Sequence, residues 1–351
     1  MKKVISLILS VMMIASLFAG CAASAPAETT APAAPETTAA AQTADAETEA
    51  PVETPEYTIA IVQQLDHASL DEIRTAAIAE LQAKAAEKGV KVNVEEYHGQ
   101  NDPTVLGQIG AQVVGDKVDM IIPIATLAAQ TMVTAAEGTD IPIVYAAISD
   151  PEAAGLTGLD KVTGTSDALN TPFILDMMLS ANPDIKTVGL LYSNSETNSA
   201  APIAEAKAYL EEKGIAYLEK TGNTTGEITE AASALVGRVD AVFTPTDNVV
   251  MAAEGTVAEI LNEAGIPHYA GADSFVTAGA FATCGVNYTE LGAYTADMAM
   301  DILLGGAVPP FHIMDGGIIT VNTETAAALN LDYSVFTAMA NTVVEVKTGN
   351  A

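Results

Sequence analysis

An internal duplication is the feature of this sequence that most constrains its fold. Three segments recur in the same order in the two halves of the chain, at nearly constant offsets of 125, 121 and 125 residues. Offsets this consistent indicate two copies of one folding unit, so we expect two lobes of the same architecture. The matched segments are Lys88-Gly89-Val90 with Lys213-Gly214-Ile215, residues 118–126 with residues 239–247, and Ile141-Pro142 with Ile266-Pro267.

Short apolar runs alternate with segments of helical length in each copy. Ser69-Leu-Asp-Glu72 has the pattern of a capping box that begins a helix, and Gly89 ends that helix. Strands that alternate with helices of this length predict parallel βαβ units. The fold class is therefore α/β, with two doubly wound parallel-sheet lobes and a ligand cleft between them. By analogy with known two-lobed folds, we also expect a hinge. The first lobe has expected strands at residues 57–62, 90–94, 119–124 and 141–145, and expected helices at residues 69–88, 104–115 and 126–137.

The candidate ligand-binding residues follow from this architecture. Open parallel sheets bind ligands outside the carboxyl ends of their strands, and in two facing lobes those ends line the cleft. The polar residues that we expect there are Gln63, Gln64, His67, Thr126, Ser149, Asp150, Asn194, Asn198, Ser199, Asp247, Asn248 and Asp273.

Thr126 and Asp247 occupy the same register in the two copies. The Thr126 hydroxyl and the free amides of a first helical turn suit a ligand carboxylate, and the helix dipole favours negative charge there. Asp247 suits a ligand ammonium in a closed cleft. Each residue has a structural alternative as the N-cap of the following helix.

The remaining candidates also have structural alternatives. Ser149 and Asp150 precede Pro151, and Asp before Pro often begins a turn. The amides and hydroxyls of residues 194–199 suit a polar ligand backbone, but a helix could equally begin at Glu196. His67 is one of four histidines, none at metal-binding spacing with another, so we expect a polar cleft wall and no metal ligand.

The chain begins with a segment that has the composition of an export signal. Two lysines follow Met1, and an apolar run continues to Ala19, which is too short to span a bilayer. The run ends in Ala19-Gly20-Cys21, which resembles the bacterial lipobox, where the cysteine is acylated. An uncleaved anchor and a plain secretory leader are the alternatives. Residues 22–56 are mostly Ala, Thr, Pro and Glu, a composition that predicts a disordered spacer.

From Tyr57 to Asp332 the sequence resembles the ABC-transporter solute-binding family that includes tryptophan- and tyrosine-binding lipoproteins. Five segments carry the resemblance, each near an expected strand end. They are Ile61-Val-Gln63 with His67-Ala-Ser-Leu70-Asp71, Ile124-Ala-Thr126-Leu-Ala-Ala-Gln130, Ser149-Asp150-Pro151 with Gly155-Leu156, Tyr192-Ser-Asn194-Ser-Glu196-Thr-Asn198-Ser199, and Pro245-Thr246-Asp247-Asn248. The sequence departs from the family with Ala76 in place of a glycine and Asp66 in place of a glutamate.

The resemblance implies a type I periplasmic binding protein that delivers a small molecule, here an amino acid and preferably an aromatic one, to an ABC permease and its ATPase. It also implies lipid anchoring at Cys21 on the extracytoplasmic face of the membrane, a monomeric state and no cofactor.

Domain boundaries follow from the duplication together with the three crossovers of that fold. We expect a signal peptide at residues 1–20 and the lipidated Cys21 with its linker at residues 21–56. The N-terminal lobe is expected at residues 57–166 and 280–309, and the C-terminal lobe at residues 167–279 and 310–345. In this assignment the apolar run at residues 281–285 belongs to the first lobe.

Charge and motifs exclude several other functions. A formal net charge of −31 repels phosphate backbones and so argues against nucleic-acid binding, including that of a transcriptional regulator. We find no Gly-rich phosphate loop, nucleophile elbow or His-Glu-x-x-His motif, which argues against a hydrolase or an isomerase. Cys284 lies in an apolar run and is expected to be a buried packing residue. A receptor that reports a sugar or autoinducer to a signalling kinase remains the alternative function.

Overall fold

The computed structural model describes residues 54–349. The expected signal peptide, Cys21 and nearly all of the linker lie outside these residues. Within residues 54–349, no helix is both long enough and apolar enough to cross a bilayer.

The first lobe is a six-stranded sheet in the order β11-β5-β4-β3-β1-β2, and all of its strand pairs are parallel. Its inner strand β1 is apolar on both faces, with Ile59, Ile61 and Val62 fully buried, as expected for a parallel sheet covered by helices on both sides. The strands are β1 (Glu56–Gln63), β2 (Lys91–His98), β3 (Met120–Ile124), β4 (Ile143–Tyr145), β5 (Val162–Ser166) and β11 (His312–Ile313). The helices are α1 (Ala68–Lys88), α2 (Pro103–Asp116), α3 (Thr126–Ala135) and α10 (Tyr288–Leu303).

The second lobe is a seven-stranded sheet in the order β13-β12-β10-β9-β8-β6-β7. Its strand pairs are parallel except that of β10 with β12. The strands are β6 (Thr187–Tyr192), β7 (Ala216–Thr221), β8 (Ala241–Thr244), β9 (His268–Ala270), β10 (Ala282–Gly285), β12 (Ile318–Asn322) and β13 (Thr342–Val346). The helices are α4 (Thr171–Ala181), α5 (Thr197–Lys213), α6 (Thr225–Ser233), α7 (Asn248–Met251), α8 (Glu254–Glu263), α9 (Asp273–Ala278) and α11 (Thr323–Ala328), with a 3-10 helix at Ser334–Ala338.

The two sheets confirm the fold class of two doubly wound α/β lobes. The chain passes between them three times, after β5, after β10 and after β11. The orders β2-β1-β3-β4-β5 in the first sheet and β7-β6-β8-β9-β10 in the second correspond strand for strand, which agrees with the duplication.

The assignment of residues 280–285 to the first lobe is wrong. The strand β10 pairs with β9 and β12, so it is an inner strand of the second sheet. The preceding Phe281 packs edge-on against Tyr269 at a centroid distance of 5.3 Å and lies beside Phe336 in the second-lobe core. The return to the first lobe therefore begins only with α10.

The last crossover also lies later than the expected position 310. His312 and Ile313 of β11 still pair with Thr165 and Ser166 at the edge of the first sheet. Helix α10 packs closely on α1 in the same lobe. The approach is so close that a methyl group added at Gly292 would collide with the Ile73 carbonyl oxygen. The chain enters the second lobe between β11 and β12.

Candidate ligand-binding site

The carboxyl ends of the two sheets face each other across a closed cleft. Four side-chain hydrogen bonds cross it directly from the first lobe to the second. They join Gln64 to Glu196 at 3.0 Å, His67 to Asn248 at 3.0 Å, Ser69 to Ser274 at 2.5 Å and Ser149 to Thr246 at 3.0 Å. The lobes are thus in direct polar contact around the site.

A cavity lies between the lobes at these strand ends. Its free volume is about 30 Å³. The cavity is therefore narrow, and a small ligand in it would touch both lobes. Its lining residues are His67, Ser69, Leu70, Ala125, Thr126, Ala147, Ser149, Asp167, Asn198, Thr246, Asp247, Asn248, Met251, Ala272, Phe275 and Tyr288.

The start of α3 forms the first-lobe wall of the cavity. Only 3% of Thr126 is exposed, yet its hydroxyl has no hydrogen-bond partner within residues 54–349. No side chain caps α3, and the Leu127 amide donates to Gln64 Oε1 at 2.9 Å. Unused amides and a free hydroxyl at a helix N-terminus are suited to a carboxylate.

Two residues with a strained backbone lie on the same wall. Ala125 has φ 75° and Ala147 has φ 56°, and both residues line the cavity. Positive φ is costly for a residue with a Cβ, and such conformations cluster at binding sites, where the surrounding structure enforces them. Here they turn the chain sharply at the ends of β3 and β4, which aims the α3 N-terminus at the cavity.

Asp247 forms part of the second-lobe wall, but its carboxylate is occupied by its own lobe. One oxygen accepts from the amides of Val249 and Val250, and the other accepts from Ser193 N at 2.7 Å and Ser199 Oγ at 2.6 Å. The side chain is fully buried, and this burial raises its pKa. These four bonds use the acceptor positions of a carboxylate. In this structure Asp247 is a helix cap, and no acceptor position is left for the ligand ammonium that we expected there.

Asp167 is a cavity residue that the sequence reasoning missed. One carboxylate oxygen accepts from Ser149 Oγ at 3.0 Å and the other from Tyr288 Oη at 3.1 Å, so each keeps a free acceptor position. Only 6% of the residue is exposed, and burial raises its pKa. Asp167 directly follows β5, and including the end of that strand among the candidate positions would have found it.

The other predicted residues divide into two groups. His67, Ser149, Asn198 and Asn248 line the cavity together with Thr126 and Asp247. Asn198 is held in place by donating to the Thr246 carbonyl oxygen at 2.7 Å. The structure therefore brings six of the predicted side chains to one site.

Six predicted residues lie outside the cavity lining, and one of them, Gln64, makes the hydrogen bond to Glu196 across the cleft. Gln63 donates to the Leu65 carbonyl and to Asp66 and Asp71 of its own lobe. The others support local structure: Asp150 accepts from Ala153 N in a turn, Asn194 donates to Thr221, Ser199 donates to Asp247, and Asp273 begins α9. Burial and the nearby Glu72 carboxylate raise the pKa of Asp273 to about 6.

Metal binding has no structural support in the part of the chain that the structure describes. No three His, Cys, Asp or Glu side chains cluster there in a way that could hold an ion. Cys284 is a free, buried thiol in β10, and burial raises its pKa to about 11.

Comparisons with known proteins agree with this arrangement. The family model described as ABC transporter substrate binding protein matches residues 58–343. A tyrosine-binding protein of Clostridioides difficile (strain R20291) is 31% identical over 337 residues, which covers 94% of this chain and 93% of that protein.

Two solved structures are similar at the level of the whole fold. An ABC domain from Streptococcus pneumonia in complex with L-Trp is 28% identical, with a TM-score of 0.75 over 82% of this chain and 100% of that chain. A ligand-free, open substrate-binding protein from Clostridium difficile is 33% identical, with a TM-score of 0.63 over 84% of this chain and 100% of that chain. The open structure is the less similar in shape despite its higher identity, which agrees with the closed cleft seen here.

Proposed function

This chain belongs to the ABC transporter substrate-binding protein family, and from that premise we propose that it captures an amino acid with an aromatic side chain for import. Members of the family bind small molecules and work with an ABC permease and its ATPase. The chain is accordingly a binding protein and not an enzyme.

The distribution of charge around the cavity is the observation that carries the proposal. Among the described residues that line the cavity there is no lysine or arginine, while Asp167 offers free acceptor positions. The N-terminus of α3 at Thr126 supplies the partial positive charge that a carboxylate needs. A ligand with one ammonium and one carboxylate satisfies both, the first at Asp167 and the second at Thr126.

The apolar part of the lining supports a large side chain on that ligand. Leu70, Met251 and Phe275 border the cavity, and Tyr288 presents its ring there while its hydroxyl binds Asp167. Aromatic rings and a thioether favour contact with an aromatic ligand. The two relatives that bind tyrosine and L-Trp support the same class of ligand.

A fluorescence titration tests the proposal directly, because the chain contains no tryptophan. L-Tryptophan should change its indole emission on binding, and L-tyrosine should displace it. D-Tryptophan is the matched control, since its amino and carboxylate groups cannot both meet Asp167 and Thr126 with the ring in the same place. Binding of a sugar with no response to any aromatic amino acid would overturn the proposal.

We also propose that Cys21 carries a lipid that anchors the protein on the extracytoplasmic face of the membrane. The support is the Ala19-Gly20-Cys21 sequence after an apolar run. Several acyl chains on one cysteine would hold the protein firmly, whereas one chain binds a membrane only marginally. Cys21→Ser should move the protein from the membrane fraction to the soluble fraction, with Cys284→Ser as a control that leaves it in place. A Cys21→Ser protein that stays in the membrane would indicate an uncleaved anchor.

A further inference from the structure

A chain of buried polar side chains crosses the cleft beside the ligand cavity. Gln64 of the first lobe donates to Glu196 Oε1 at 3.0 Å, and Asn248 of the second lobe donates to Glu196 Oε2 at 2.6 Å. His67 of the first lobe continues this series of hydrogen bonds through its Nε2, which lies 3.0 Å from Asn248 Oδ1. Glu196 thus lies at the centre of two crossings between the lobes.

The same series of hydrogen bonds reaches the start of α3, which forms the first-lobe wall of the cavity. Gln64 Oε1 accepts from the Leu127 amide in the first turn of α3 at 2.9 Å, and its Nε2 also donates to Asn101 at 2.8 Å. Gln64 is fully buried and Glu196 is only 6% exposed. A side chain held at both ends in this way fixes the position of α3 relative to the second lobe.

The Glu196 carboxyl group has no paired cation among the described residues. The ionisable groups that face it are Asp247 directly and His67 through Asn248, with Asp66 and Asp71 near His67. None of the contacts that Glu196 makes within residues 54–349 is to a lysine or arginine. A buried carboxylate next to a second carboxylate is unfavourable, so the closed cleft favours the protonated form.

We propose that Glu196 is a latch between the lobes, which holds the cleft closed through Gln64 and Asn248 and makes closure depend on proton binding. The inference assumes that the ligand site lies in this cleft, as the proposed function does. It does not depend on which ligand binds.

The direction of the pH effect follows from the two states of the cleft. Burial and the Asp247 charge raise the pKa of Glu196 to about 7 in the closed cleft. Opening removes Gln64 and admits water, which returns the pKa toward its ordinary range. The closed form therefore binds a proton more strongly than the open form. The stabilisation of closure is fully present below the open-form pKa and is lost as the pH rises through about 7.

His67 acts in the opposite direction at lower pH. Its pKa is lowered, mainly by burial, and its Nδ1 has no partner in the part of the chain that the structure describes. Protonation of His67 therefore opposes closure on acidification below its ordinary range. The two groups together favour closure in a window between the pKa of His67 and that of Glu196.

The test measures the shape of the full chain without ligand. Small-angle X-ray scattering of the wild type should show a larger radius of gyration at alkaline pH. The contribution of Glu196 should lower the ratio of closed to open forms by roughly tenfold between about pH 6 and about pH 8, and His67 offsets part of this near pH 6. Glu196→Gln keeps a side chain that can hydrogen-bond but removes the charge, so its radius should not increase between about pH 6 and about pH 8, and His67 is the group that still titrates. Glu196→Ala should be open throughout.

Glu212→Gln is the matched control, because it makes the same chemical change at an exposed position on α5, the helix that Glu196 directly precedes. It should follow the wild-type pH profile. A wild-type radius that does not change with pH, or a Glu196→Gln profile that follows the wild type, would overturn the latch. Since no ligand is present, failure of the latch is distinct from failure of the aromatic amino-acid assignment, which the fluorescence titration decides.

Discussion

The starts of α3 and α7 are equivalent positions in the two lobes, and the structure uses them differently. Thr126 and Asp247 are 121 residues apart, and each follows the third strand of its lobe. The α3 start has no side-chain cap and a free Thr126 hydroxyl, whereas the α7 start is capped by a carboxylate that accepts four hydrogen bonds.

The difference shows how a duplicated unit can build an asymmetric site. The first-lobe copy leaves part of its helix start unsatisfied beyond the Leu127 amide, so that a ligand can complete it. The second-lobe copy satisfies its helix start internally with Ser193 and Ser199. Its contribution to the site is a rigid wall, and the acid that remains free is Asp167 at the crossover between the lobes.

The largest expected effect on binding is therefore at Asp167 and not at Asp247. Asp167→Asn leaves a desolvated ligand ammonium without its charged partner, which should cost about 2–5 kcal/mol of affinity. That corresponds to a rise in Kd of roughly thirtyfold to several thousandfold. Calorimetric titration with L-tryptophan measures the loss. An unchanged Kd would remove Asp167 from the binding site.

Asp247→Asn should act on folding stability. The amide group would place a donor against either the Ser193 amide or the amides of Val249 and Val250, all of which are donors. One buried N–H would lose its acceptor, at a cost of about 1–3 kcal/mol in the free energy of unfolding. Urea denaturation should show a lower midpoint with an unchanged slope.

Asp102→Asn is the matched control for this prediction. Asp102 caps α2 through one oxygen only and is accessible to solvent, so an asparagine there should cost a few tenths of a kcal/mol. An Asp247→Asn protein with wild-type stability but weakened ligand binding would show that Asp247 contacts the ligand ammonium directly. The two helix starts would then not differ in the way described above.

These two aspartates also show where the sequence stops being informative. An Asp at a strand end before a helix has the same pattern whether it caps the helix or binds a ligand. Ser193 and Ser199 decide between the roles, and they lie 54 and 48 residues away in the chain. Side-chain contacts over such separations depend on tertiary packing, which a single sequence does not reveal.

The fold was predictable because its signals are local and repeated. Apolar runs, the Gly89 helix end and the constant offsets define the βαβ units without any knowledge of long-range contacts. The error at β10 has the opposite cause, since a four-residue apolar run can join either sheet. Its antiparallel partner β12 comes more than thirty residues later and is separated from it by α10 and β11.

The smallest expected effect is that of removing the Thr126 hydroxyl, and it tests the open side of the comparison. Thr126→Val keeps the shape of the side chain but removes one donor to the ligand carboxylate, while the α3 amides remain. Because a single hydrogen bond contributes about 0.5–1.5 kcal/mol, the Kd for L-tryptophan should rise by roughly twofold to tenfold. Folding stability should not fall, since the hydroxyl is unpartnered within residues 54–349 and its loss breaks no internal hydrogen bond.

Thr134→Val is the control, because that residue lies on the exposed face of the same helix and donates only to the Gln130 carbonyl. Equal affinities for the two variants would mean that the α3 start is not where the carboxylate binds, and the two helix starts would then both be structural.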